Sequence, residues 1–236
     1  MSVKKQYLLF YNGISALLWS YILYNCIIDL NNGFFPYSIN DTDDSCSLDY
    51  DYDINKIVFK CNSTQDIIPH KFIIITQIFN SILELLHSII GLVPSPIGTL
   101  LLQSFARLII MIGICLVIPE SPANYNILIF SSLIFAWSTT EIIRYGFYFL
   151  KLKNKQVPYW LIWLRYSAFF ILYPLGLISE SLTVYNSYDI IRNRLPGYSN
   201  FLKFALPLYL PGFLYLYNYM IKQRQKVLRN EQQKLL

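Results

Sequence analysis

The chain has 236 residues, of which 55% are hydrophobic and only 14% are charged, with a formal net charge of +5. A soluble globular domain carries about 25% charged residues, so this composition excludes an ordinary soluble domain. Several apolar runs approach the ~20 residues that cross ~30 Å of hydrocarbon. The sequence therefore predicts an all-α membrane protein, with six transmembrane helices surrounding a buried active site.

The first predicted span, residues 7–29, follows Lys4 and Lys5 and could be mistaken for a signal peptide. Its apolar run is long and ends at Asp29 without a small-residue cleavage site, which favours a retained helix. We expect the whole chain, residues 1–236, to form one six-span domain. The other predicted spans are 72–93, 97–118, 124–150, 157–186 and 201–221.

Residues 30–71 form the one long connection between predicted spans, and they are rich in Asp, Asn and Ser. This composition is typical of a loop, and part of it fits a disordered segment. Asn40 and Asn62 each begin a glycosylation sequon. Cys46 and Cys61 lie in the same segment, and the sequence leaves open whether they form a disulfide or remain free thiols.

The distribution of lysine and arginine predicts the orientation, because positive residues favour the cytosolic side. The N-terminus, the loop after the fourth span and the tail 222–236 are all basic, whereas the loop 30–71 is acidic. With six spans, the three basic segments share one side. We therefore expect both termini in the cytosol and residues 30–71 in the lumen. The basic residues are Lys4, Lys5, Lys151, Lys153, Lys155, Lys222, Arg224, Lys226, Arg229 and Lys234.

Ionisable residues inside the predicted spans are costly in lipid and must face the protein interior. Two readings of these residues stay open. Glu84 or Glu141 could neutralise Arg107 or Arg144 and lock the helices together, or the same side chains could bind a substrate. Most of them fall toward the cytosolic side, where they would form a basic mouth suited to a phosphate-bearing head group. The residues that we expect at or just outside this mouth are Glu84, His87, Arg107, Glu141, Arg144, Lys153, Lys155 and Arg165.

The fifth predicted span contains Tyr166, Tyr173 and Glu180, each seven residues from the next. Seven residues are about two helical turns, so the three side chains lie along one stripe of one helix. A phenol and a carboxyl that face one interior can act as an acid/base pair on a bound substrate. The spacing leaves open which of Tyr173 and Glu180 is the acid and which is the base.

Four segments of the chain closely resemble the very-long-chain 3-hydroxyacyl-CoA dehydratase family of the endoplasmic reticulum, once described as protein-tyrosine-phosphatase-like proteins. The last two segments are highly specific, and their polar positions show no departure from the family pattern. The long acidic first loop is the main departure. The matching segments are YNGISALLW (11–19), LELLHSIIGLVPSPIGTLLLQSFAR (83–107), WSTTEIIRYGFYFL (137–150) and LRYSAFFILYPLGLISE (164–180).

The resemblance implies an enzyme of fatty acid elongation that removes water from a (3R)-3-hydroxyacyl-CoA to give the trans-2-enoyl-CoA. It implies that Tyr173 and Glu180 are the catalytic pair and that no cofactor or metal is needed. The expected substrate-binding residues are Tyr166, Arg165, Arg144, Glu141, Arg107, His87 and Lys153. The implied partners are the acyl-CoA substrate, membrane lipid and the other elongation enzymes (elongase, ketoacyl reductase and enoyl reductase), with no nucleic acid.

Tyrosine phosphatase activity is excluded, because that chemistry needs a cysteine thiolate with an arginine six positions later. The residues six positions after the four cysteines are Asn32, Tyr52, Ile67 and Ser121. The remaining alternative is a non-enzymatic membrane scaffold or a transporter with the same fold. A transporter would show internal repeats and broken helices, and a scaffold would be expected to lack the Tyr or the Glu of the pair.

Overall fold

The computed structural model of the chain describes residues 2–32, 46–51, 56–61, 70–93, 97–119, 121–153 and 156–233. These residues are almost entirely helical, apart from one two-stranded hairpin. Lys155 and the sequon residues Asn40 and Asn62 lie outside the described residues. The elements in chain order are α1 (Val3–Asn32), β1 (Cys46–Asp51), β2 (Lys56–Cys61), α2 (Lys71–Ile89), α3 (Ile97–Leu108), a π-helical segment (Ile109–Leu116), α4 (Pro122–Tyr125), α5 (Ile127–Lys153), α6 (Tyr159–Ser167), α7 (Phe169–Arg194) and α8 (Pro196–Gln233).

Four helical stretches are long and apolar enough to cross a membrane: Val3–Asn31, Lys71–Ile89, Ile127–Lys153 and Tyr159–Arg194. They confirm a multi-pass helical protein and correspond to the first, second, fourth and fifth predicted spans. The third predicted span contains a shorter apolar helix, Leu100–Leu116. The sixth lies within α8, where two prolines and several tyrosines lower the mean hydropathy. Six spans and a buried active site therefore stay predictions.

The segment 30–71 contains more regular structure than the expected loop. α1 continues to Asn32, and β1 pairs with β2 in an antiparallel hairpin. β2 contains Ile57, Val58 and Phe59, which are residue types that favour strands. The backbone register places Cys46 opposite Cys61. Residues at such paired positions are close enough for a disulfide, so the bridged alternative stays open.

The chain divides into two compact units that alternate along the sequence. The first unit comprises Met1–Tyr24, Ser132–Ser179 and Lys203–Leu236, and the second comprises Asn25–Ser131 and Glu180–Leu202. Helices α1, α5, α7 and α8 contribute residues to both units. The core of the first unit includes the buried side chains Trp19, Leu133, Trp137, Tyr145 and Phe147, and that of the second includes Ile110, Met111, Ile114, Ile118 and Phe130.

A group of hydrogen-bonded polar residues, here called the His70–Asn124 cluster, is buried in the second unit. His70 Nε2 lies 2.9 Å from the backbone oxygen of Asn124, and its ring stacks on Phe130. The Ser121 and Ser187 hydroxyls are 2.6 Å apart. Burial lowers the pKa of His70 to about 4, so its ring is neutral at pH 7. These hydrogen bonds offset part of the desolvation of the cluster and tie together the segments that carry it.

The π-helical segment contains a glycine that its packing requires. The Tyr198 hydroxyl packs against the backbone of Gly113 so closely that a β-carbon at this position would overlap it. Both residues belong to the second unit. Larger side chains at position 113 must therefore displace Tyr198.

Candidate functional site

Tyr173 and Glu180, the predicted acid/base pair, both lie on α7. α6 ends at Ser167, and α7 begins at Phe169 after a turn at Ala168. Pro174 lies inside α7 without ending it. Both side chains of the pair are half-buried. Seven residues along one helix correspond to a rise of about 10 Å on the same face. The helix therefore contains both members of the predicted pair, Tyr173 in the first compact unit and Glu180 in the second.

The Tyr173 ring stacks against two rings of α8, and we call these three residues the aromatic column. The centroids of Tyr173 and Phe213 are 4.9 Å apart and the rings are 6° from parallel. Phe213 stacks in turn on Tyr217, with centroids 5.3 Å apart and planes at 20°. Near-parallel packing of this kind blocks tilting of the Tyr173 ring toward Phe213, so the column limits the positions that the phenol oxygen can take.

Arg165 lies among aromatic rings near the start of the same predicted span. Its Nη2 donates a hydrogen bond of 2.9 Å to the Tyr148 hydroxyl. Its guanidinium carbon is 4.3 Å from the Phe147 centroid and 5.5 Å from that of Tyr166. Its Nη1 is buried and makes no hydrogen bond within the part of the chain that the structure describes. The aromatic faces stabilise the cation in this position.

Glu141 and Arg144 form an ion pair within α5. Both Nε and Nη2 of Arg144 donate to Oε2 of Glu141, and the Nε hydrogen bond is 2.9 Å long. The guanidinium also lies over the Tyr145 ring, 4.4 Å from its centroid. Glu141 is only 3% exposed, so this partner helps to compensate its charge. The Glu141–Arg144 pair of the structural reading is therefore present, but it lies within α5 and does not lock separate helices together.

The remaining predicted site residues occupy different parts of the chain. Lys153 is exposed at the end of α5, with its ammonium 5.9 Å from the Phe149 centroid. Arg107 is half-buried at the end of α3, and His87 is buried in α2. The structure gathers Glu141, Arg144, Arg165, Tyr166 and Tyr173 in the first unit, whereas His87, Arg107 and Glu180 belong to the second.

The sequence did not predict a place at this site for three residues of α8: Phe213, Tyr217 and Arg224. Arg224 Nε donates to the Ser167 hydroxyl at 2.9 Å, and its guanidinium lies over Phe170. The spacings of four and seven residues place the three side chains on one face of α8. That spacing was visible in the sequence, but an aromatic stripe on an apolar helix is common, and only the structure pairs it with Tyr173.

The protein tyrosine phosphatase-like protein (PTPLA) family model matches residues 78–230 of the chain. The chain belongs to this family. It is 33% identical to the very-long-chain (3R)-3-hydroxyacyl-CoA dehydratase hpo-8 of Caenorhabditis elegans, over 97% of this chain and 96% of that protein. It is 35% identical to a probable dehydratase of the same description from Schizosaccharomyces pombe, over 95% of this chain and 94% of that protein.

A further relative, the dehydratase PASTICCINO 2 of Arabidopsis thaliana, is 37% identical over 63% of this chain and 72% of its own length. No solved structure matches the chain. The similarity to the first two relatives extends over almost the whole chain, including the α5 and α7 segments that contain the predicted site.

Proposed function

We propose that this chain is a very-long-chain (3R)-3-hydroxyacyl-CoA dehydratase of fatty acid elongation. The main support is the near full-length similarity to proteins named for that activity, in a chain that presents Tyr173 and Glu180 on one stripe of α7. No observation favours the scaffold or transporter alternative. A scaffold would be expected to lack one member of the pair, and both are present.

In the proposed reaction, a base removes the proton from C2 of the acyl chain, next to the thioester carbonyl. The electrons of that bond form the C2–C3 double bond, and the C3–O bond breaks. An acid protonates the departing hydroxyl, which leaves as water. Tyr173 and Glu180 supply these two proton transfers, and their individual roles stay open. A general acid or base of this kind contributes about 10²–10⁴-fold to the rate.

The proposed binding of the CoA head group uses cations near the catalytic stripe. Arg165 fits this role best, because aromatic rings fix its guanidinium while its buried Nη1 retains an unused donor within the described chain. Tyr166 packs edge-on against Phe147, 6.4 Å between centroids, beside that cation. Lys153 would attract the anionic head group from its exposed position. Arg107, His87 and the Glu141–Arg144 pair are retained as candidate residues for substrate binding or for site architecture.

The proposed setting is the endoplasmic reticulum membrane, with six spans around a buried site and both termini in the cytosol. Elongase, ketoacyl reductase and enoyl reductase are the proposed partners, because dehydration requires a hydroxyacyl substrate and yields an enoyl product. Glycosylation tags at residue 2, near residue 45 and at residue 236 would test the orientation in microsomes. Modification of the middle tag alone is expected, and modification of a terminal tag would contradict it.

The test of the reaction is turnover of a long-chain (3R)-3-hydroxyacyl-CoA by purified protein in lipid nanodiscs, with the enoyl product measured by mass spectrometry. We expect wild-type turnover, little turnover of the (3S) enantiomer, and a loss of at least about 10²-fold in Tyr173→Phe. The matched control is Tyr185→Phe, an exposed tyrosine on the same helix, which should behave as wild type. Absence of wild-type turnover would contradict the proposed function.

A further inference from the structure

The aromatic column connects the predicted catalytic tyrosine to a helix that carries none of the predicted catalytic residues. Phe213 and Tyr217 are half-buried on α8, whereas their neighbour Tyr215 is 70% exposed. The two half-buried rings lie four residues apart and therefore on one face of the helix. That face packs against the α7 residue on which the proposed chemistry depends.

The two rings of α8 make different contacts with α7. Tyr217 contacts Phe169, Phe170 and Tyr173, with centroids 5.4, 6.1 and 6.4 Å away. Among the α7 rings for which a ring contact is described, Phe213 stacks on Tyr173 alone. The Phe213 ring is closer to the Tyr173 ring, and more nearly parallel to it, than the Tyr217 ring is. Tyr217 therefore contacts three rings of α7, whereas the described contact of Phe213 with α7 is with the Tyr173 ring.

A polar contact fixes the position of α8 next to this column. Arg224 lies seven residues beyond Tyr217, on the same face of α8, and its Nε hydrogen-bonds the Ser167 hydroxyl. Its guanidinium lies 5.4 Å from the Phe170 centroid. The helix thus contacts its neighbours at two levels, through rings and through a hydrogen bond, and both contacts oppose movement of Phe213 away from Tyr173.

We infer that Phe213 is a positioning residue, which holds the Tyr173 ring in the orientation required for proton transfer. This inference rests on the proposed function of Tyr173. A stacked neighbour removes rotational freedom from the ring, and misplacement of a catalytic group by about 1 Å can cost about 10²-fold in rate. Phe213 touches no reacting atom in this role and acts only through Tyr173.

The experiment compares kcat, KM and thermal stability in Phe213→Leu, Phe213→Met and Phe213→Tyr. Loss of the ring in the first two variants should lower kcat roughly tenfold while leaving KM and the melting temperature close to wild type. Phe213→Tyr retains a stacking ring and should recover most of the rate. The matched control is Phe204→Leu, because Phe204 is on the same helix and is 76% exposed.

A double-variant cycle separates positioning from general packing. If Phe213 acts through the Tyr173 hydroxyl, Phe213→Leu should cause little further loss of kcat in a Tyr173→Phe background. An equal loss of kcat in both backgrounds would overturn the inference. An unchanged kcat in Phe213→Leu and Phe213→Met would also overturn it. So would losses of kcat that simply follow the decrease in melting temperature. Near wild-type turnover in Tyr173→Phe alone would overturn both this inference and the proposed role of Tyr173. Full inactivity of Tyr173→Phe with an unaffected Phe213→Leu would overturn the inference only.

Discussion

The aromatic column and the His70–Asn124 cluster place polar groups inside the protein in opposite ways. In the cluster, the Asn124 amide donates to the backbone oxygens of Ile118 and Pro119, and the serine hydroxyls bond each other. In the column, Tyr173 is held through the face of its ring instead. Hydrogen bonds hold the cluster through polar atoms of its side chains, whereas stacking holds Tyr173 through the face of its ring. The first kind of contact fixes the direction of a polar group, and the second fixes the plane of a ring.

The largest effect on stability is expected at the Glu141–Arg144 pair. Glu141→Gln removes the carboxylate that Arg144 contacts. Breaking a buried ion pair costs about 3–5 kcal/mol, and because the Arg144 side chain is 29% exposed we expect the lower end of this range. Thermal unfolding in detergent should show this loss with and without acyl-CoA. Arg144→Lys keeps the charge but lacks the forked geometry, so it should lower stability to a smaller extent. A raised KM with unchanged stability in Arg144→Lys would instead place Arg144 in substrate binding.

The second-largest effect is expected in how the stability of the protein depends on pH, through the His70–Asn124 cluster. The pKa of His70 falls from its ordinary value of 6.5 to about 4 on folding, so the unfolded state binds more protons between these pH values. Stability should therefore be highest above pH 6.5 and should decrease by roughly 3 kcal/mol as the pH falls to about 4. Unfolding of His70→Gln at pH 7 and pH 4.5 is the comparison. An equal pH dependence in wild type and variant would contradict a buried neutral histidine.

A smaller effect is expected where Gly113 meets Tyr198. Gly113→Ala must displace the Tyr198 hydroxyl, and overpacking of this kind costs about 1–3 kcal/mol. The double variant Gly113→Ala/Tyr198→Phe removes the overlapping oxygen and should recover part of the lost stability. Gly98→Ala is the control, because a β-carbon there meets no atom within 4 Å. Equal melting temperatures for Gly113→Ala and Gly98→Ala would contradict the close contact.

The smallest effect is expected for Lys151 and Lys153, which are exposed at the end of α5, taken together with Lys155 of the following segment. Replacing Lys151, Lys153 and Lys155 together by Gln should raise KM at low ionic strength and leave kcat nearly unchanged. Long-range attraction to the CoA phosphates is screened by salt, so the difference in KM should shrink as ionic strength rises. An unchanged KM at every salt concentration would remove these lysines from substrate binding.

The sequence predicted the helical membrane class and placed Tyr173 and Glu180 on one stripe, because apolar length and helical periodicity are local properties of the chain. It also listed the Glu141–Arg144 ion pair as one of two alternatives. It missed the hairpin around β1 and β2, since the acidic composition of that segment masks its short strand signals. The contact of Phe213 with Tyr173 could not be predicted from the sequence, because pairing between distant helices depends on how α8 packs against α7.

The most direct test of the central claim is kcat/KM for wild type, Tyr173→Phe, Glu180→Gln and the double variant, each purified and matched for thermal stability. If the two residues act as one acid/base pair on α7, each single variant should lose about 10²–10⁴-fold, and the double variant should lose little more than the weaker single variant. Near wild-type turnover in either single variant, or a double variant whose loss is the product of the two single losses, would contradict that claim.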